Sequence, residues 1–161
     1  MKKIVSVIAL AALLLPMLVL AQNASDPNSI LKTGVWEGKW SNGSYMGDSA
    51  VKLNVESVAG KHIKAQANLV DKNNTIIEMS GDIVDSFGDF VEQSHWQFAA
   101  KDKKFKDGTW IKMTETKVIQ GSWDLKGTYY LFLSGGSLAG CWYYDKETQP
   151  RGRLELKAPE Q

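Results

Sequence analysis

The stretch from Phe90 to Phe98 sets polar groups among aromatics at a spacing that could hold a ligand. In an extended strand, successive side chains point to opposite faces. Phe90, Glu92, Ser94, Trp96 and Phe98 then share one face, and Val91, Gln93, His95 and Gln97 share the other. If the aromatic face is inward, Glu92 and Ser94 are inward with it. A carboxylate and a hydroxyl beside an apolar wall such as Trp96 would hold the polar part of a ligand by hydrogen bonds. The same pair reaches solvent instead if the strand opens early or a bulge changes its facing, and both readings stand at this point.

Catalysis finds no comparable support. The histidines are His62 and His95, and the single cysteine is Cys141. No pair among them has the spacing of a zinc site. His62 adjoins a turn and His95 falls on the face opposite Trp96, so both read as surface residues. There is no Gly-x-Ser-x-Gly elbow and no glycine-rich phosphate loop. The residues therefore predict no catalytic set, no metal and no cofactor, and an enzyme would need a site assembled from distant strands. Lys101, Lys103, Lys104 and Lys106 alternate with Asp102 and Asp107, which reads as a solvated connection. Cys141 reads as a buried, inert thiol.

Six tryptophans carry much of the apolar mass: Trp36, Trp40, Trp96, Trp110, Trp123 and Trp142. Trp40, Trp110 and Trp142 could form an exposed platform for a flat ligand. The competing reading places them in the core, where large aromatics dominate burial.

The elements that must position these groups are strands. Gly34 to Trp40 puts Trp36, Gly38 and Trp40 on one face and Glu37 and Lys39 on the other. Val51, Leu53 and Val55 alternate with Lys52, Asn54 and Glu56; after Ala59-Gly60-Lys61, Ile63, Ala65, Ala67 and Leu69 alternate with polar residues. This is an antiparallel hairpin by pattern. Further strands are predicted over 75–79 and 82–84, broken by a bulge at Gly81, then over 90–98, 109–116, 117–125, 128–134, 138–144 and 151–157. No apolar residues recur at helical spacing over a useful length. About 8–10 short strands joined by short turns predict an all-β, antiparallel barrel, with a β-sandwich as the alternative.

Lys2 and Lys3 followed by the apolar run Ile4 to Ala21 predict a cleavable signal peptide over 1–21. A polar linker over 22–33 and one domain over 34–161 follow. Without Lys2 and Lys3 the 19 basic residues become 17 against 18 acidic ones, a formal charge of −1. That balance gives no reason to expect nucleic acid or an anionic membrane as a partner. One cysteine excludes an intramolecular disulfide. The destination expected is the periplasm or the medium, with no stable membrane anchor after cleavage.

Gly34-Val35-Trp36 resembles the Gly-x-Trp opening of the calycin group, which includes lipocalins and avidins. The resemblance implies an up-and-down barrel in which Trp36 closes one end and packs against a basic residue of a late strand, Arg151 or Arg153. Gly38-Lys39-Trp40-Ser41-Asn42 is similar to the first strand of avidins, which implies Asn42 and Ser44 at the pocket mouth with Trp96 as a wall. The C-terminal stretch lacks the aromatic ending of avidins, and no lipocalin-type Thr-Asp-Tyr motif is present. Together these features lead us to expect an exported, non-catalytic protein binding a small apolar or amphipathic ligand in a barrel mouth. The alternative is a module that binds another protein, such as an inhibitor of an extracellular hydrolase, through loops 42–47 and 101–108.

Overall fold

The computed structural model is a closed antiparallel barrel of eight strands in chain order, β1-β2-β3-β4-β5-β6-β7-β8. It describes residues 30–41, 49–70, 74–85, 108–145, 147 and 150–160. The strands are β1 (Gly34–Trp40), β2 (Ser49–Ala59), β3 (His62–Leu69), β4 (Thr75–Val84), β5 (Thr109–Gln120), β6 (Gly127–Ser134), β7 (Ser137–Tyr144) and β8 (Gly152–Lys157). Every strand pairs with its sequence neighbour, and β1 pairs with β8 to close the ring. The sandwich alternative is thereby set aside. The expected signal peptide and linker lie outside the described residues, as does the strand expected over 90–98.

Two expectations for the strands change. Gly81 does not break its strand: β4 runs unbroken, with Gly81 opposite Ile63 on β3 and Met113 on β5. A Cβ there would overlap the Lys112 carbonyl oxygen and lie 2.6 Å from the Met113 side chain, so the glycine permits close approach rather than a bulge. The bulges fall instead on β5, where the register with β4 shifts between Ile76 and Ile77 and again between Glu78 and Met79, and on β2, where the register with β3 shifts between Val55 and Ser57. Residues 109–125 are not two strands. β5 continues to Gln120, and 121–126 form the connection to β6.

The alternation read in β2 and β3 holds, with Val51, Leu53, Val55, Ile63, Ala65, Ala67 and Leu69 buried. The inward set fills the barrel: no buried member of the core, from Trp36 to Leu156, exceeds 7% exposure. Trp36 lies near the Gly34 end, 1% exposed, and its indole donates to the Lys32 carbonyl at 2.9 Å. Trp40 closes the other end at 4% exposure, and Trp142 is buried beside it at 1%. Trp40 and Trp142 are therefore core residues and not an exposed platform. Trp110 is half-buried, edge-on to Phe132 at 4.5 Å.

β6 and β7 bury both faces. Tyr129, Leu131 and Leu133 belong to the interior core, yet their opposite-face neighbours Phe132, Cys141 and Tyr143 are also buried. Cys141 behaves as expected of a structural thiol: burial pushes it up to about 11, outweighing the Arg153 charge that pulls it down.

Candidate functional site

Asn42, Ser44, Glu92, Ser94 and Trp96, the expected ligand contacts, lie outside the described residues, as do loop 42–47 and residues 101–107. Trp36, Trp40 and Arg153 are placed. Arg153 is exposed on β8 and pairs with Cys141, next to the Trp40–Leu154 pair. Trp36 points inward one residue beyond Glu37, which pairs with Lys157. The two are separated by about 16 Å along the strands at ~3.3 Å per residue and face opposite sides. The packing that the calycin resemblance implied between Trp36 and Arg153 is not formed. Arg151 sits instead over the Tyr144 ring at 4.9 Å and pairs with Glu147.

Four aromatic contacts between described residues lie at the Trp40 end. Trp40 meets Trp123 edge-on at 5.8 Å and Trp142 at 6.4 Å. Trp142 stacks on Tyr129 at 6.1 Å and meets Tyr144 edge-on at 5.4 Å. Ser41, directly after β1, ties this end together. Its N–H donates to the Arg153 carbonyl at 2.9 Å, its Oγ accepts from Arg153 N–H at 3.1 Å, and its carbonyl accepts from Trp142 Nε1 at 2.9 Å. Gly152 leaves room for that contact, because a Cβ there would overlap both the Ser41 carbonyl oxygen and Trp142 Nε1.

One charged group enters this apolar setting. Ile111 and Met113 point inward from β5, and the same alternation carries Glu115 inward at the point where β5 leaves β6. The last pair between these strands is Thr114 with Thr128. Beyond it the Glu115 side chain takes over the bonding. Oε2 accepts the Gly127 N–H at 2.9 Å, and Oε1 accepts Trp123 Nε1–H at 3.0 Å and the Tyr129 hydroxyl at 2.7 Å. A Cβ on residue 127 would overlap Glu115 Oε1, so glycine is what admits the carboxylate. Three donors satisfy most of its acceptor capacity, and all three are uncharged. Burial and then the Glu115 charge hold the Tyr129 phenol well above its ordinary range, so it stays a donor.

A second polar atom here lacks a partner. Trp40 Nε1 is buried and meets no acceptor among the described residues. A buried donor left unpaired costs about 1–3 kcal/mol. The end thus combines five aromatic rings, a carboxylate with one acceptor position to spare and an unsatisfied N–H. Such a set can bind an amphipathic molecule by stacking and hydrogen bonding. It contains no nucleophile–base pair, and among the described residues no three His, Cys, Asp or Glu side chains converge as metal ligands would. His62, at the opposite end, is exposed and contacts Asp82 at 3.0 Å.

Sequence reasoning passed over Glu115, Trp123 and Tyr129. Extending the alternation of Ile111 and Met113 by one step reveals the inward carboxylate, and that was the available signal. No protein-family model matches this chain, and no curated protein matches it.

Proposed function

We propose that the protein is an exported, non-catalytic binding protein of calycin-like type, holding a small apolar or amphipathic ligand at the Trp40 end of its barrel. The observation that carries this reading is the contrast along the interior. The core is apolar and filled, and among the described residues only the Trp40 end brings an inward carboxylate and an orphan indole N–H to aromatic rings. Pockets of this kind combine apolar walls with a few placed polar groups. Because the interior is filled, the ligand sits at the mouth, against Trp123 and Tyr144, rather than deep in a cup. Export is supported by Lys2, Lys3 and the apolar run to Ala21.

The test is a titration with small non-fluorescent aromatic probes, followed by tryptophan emission. Saturable quenching is expected, weakened at least tenfold in Trp123→Ala. A response that never saturates, or one indifferent to Trp123, would count against the reading. Native mass spectrometry of protein from its own host would show a retained ligand directly.

A further inference from the structure

Resting on that reading, we propose that the ligand of the Trp40 end is a small protonated amine. The sign of the inward charge found among the described residues carries this. Exposed acids such as Glu37, Asp85, Asp124 and Glu147 each meet a base, namely Lys52, Lys61, Lys126 and Arg151. Glu115, drawn in among aromatic rings, bonds only to an indole, a phenol and a backbone amide. Its formal charge is therefore uncompensated by any base in direct contact among the described residues. A carboxylate has about four acceptor positions, and the three bonds leave one on Oε2.

The rings add to the same preference. Trp40, Trp123, Tyr129 and Trp142 form a contiguous cluster, and the negative faces of such rings attract a cation once water is excluded. An anion would be repelled by Glu115, and a neutral ligand would gain the rings and at most an uncharged hydrogen bond, weaker than a charge-assisted one. An ammonium group gains the rings and the charge, and donates to the open position on Oε2. The buried Trp40 N–H is the second independent polar demand at this end.

The test uses three probes of one shape and different charge: 2-phenylethylamine, 2-phenylethanol and phenylacetate. Wild-type protein is expected to bind the amine about tenfold more tightly than the alcohol, and phenylacetate most weakly. Glu115→Gln, checked for folding by near-ultraviolet circular dichroism, should remove the tenfold advantage of the amine over the alcohol. In wild-type protein the Glu115 Cδ resonance should move further with saturating amine than with saturating alcohol, a readout that does not depend on the variant folding. Equal binding of amine and alcohol, retained preference in the variant, or a Glu115 resonance that moves no further with the amine than with the alcohol would each overturn the amine proposal while leaving a binding site in place. Failure of all three probes to bind would instead remove the binding reading itself, and the amine proposal with it.

Discussion

Replacing Gly38 by alanine tests the closure of the barrel at a close contact between β1 and β8. Gly38 shares the inward face of β1 with Trp36 and Trp40, and it pairs with Leu156 of β8. A Cβ at this position would overlap the Glu155 carbonyl oxygen and stand 2.9 Å from Leu156 Cα. Both are backbone atoms, so no rotamer change relieves the overlap; β8 itself must move. The seam it disturbs has four residue pairs, Glu37–Lys157 to Trp40–Leu154. Alanine should favour the folded state by about 0.4–1 kcal/mol through the unfolded chain. Overpacking opposes this by about 1–3 kcal/mol when side chains can yield, and by more against a backbone. A net loss of ~3 kcal/mol follows, a large share of a stability of about 5–15 kcal/mol. Gly60→Ala is the control: nothing lies within 4 Å of its Cβ, and its φ of +60° imposes only the left-handed strain, about 1–2 kcal/mol. Urea unfolding followed by tryptophan emission should place Gly38→Ala on the order of 1.5 M below wild type, for a slope of about 2 kcal/mol/M, and Gly60→Ala about half as far. If Gly38→Ala stays within about 0.5 kcal/mol of wild type, the close approach of β1 and β8 is not present in solution.

Gly127→Ala should push the Glu115 carboxylate out of its three bonds and cost ~2–4 kcal/mol, with loss of near-ultraviolet tryptophan ellipticity; an unchanged spectrum would argue against the Glu115 network. Stability should fall at alkaline pH. The Cys141 thiol is held up to about 11 in the fold, whereas the unfolded thiol ionises near ~8.5; between those values the unfolded state binds fewer protons, so stability drops by about 1.4 kcal/mol per pH unit. Tyr129, also raised, adds to the loss above about pH 10, and Cys141→Ala should remove the earlier component in denaturation curves taken across this range. For the same reason a thiol reagent should label Cys141 slowly in native protein at pH 8 and rapidly in urea; prompt native labelling would contradict its burial. Acrylamide should quench Trp36, Trp40 and Trp142 weakly, and single Trp→Phe variants would show which indoles carry the residual quenching.

The strands were legible wherever one face is buried and the other wet, because period two is then written into the residue types. β2 and β3 illustrate this: Val51 to Val55 and Ile63 to Leu69 alternate regularly, and the structure adds the register and a bulge after Val55, where Ser57 and Val58 are buried in succession. β6 and β7 gave their positions but not their facing, since Leu131, Phe132 and Leu133 are consecutive and all buried. β5 was misread as two strands because its bulges interrupt the alternation after Glu115. The same irregularity concealed the site. Glu115 looks like one more polar residue in Thr114-Glu115-Thr116-Lys117, and its partners Trp123, Gly127 and Tyr129 reach it only through the turn after β5. The pairing of Trp36 with Arg153 failed for a different reason: a resemblance supplied the partner, while register decides reach.

The seam between β1 and β8 also governs the order in which the molecule can assemble. Seven of the eight pairings join neighbours along the chain, and most of them close short loops at small entropic cost. The remaining one brings together segments as distant as Glu37 and Lys157, 120 residues apart by their numbers (157 − 37). Contacts of that separation form late in folding. Until β8 docks, β1 and β7 each expose an unpaired edge, the template on which other chains add. A chain cut before Gly152 would hold that state permanently, so the final strand protects the molecule from self-association as much as it completes the core.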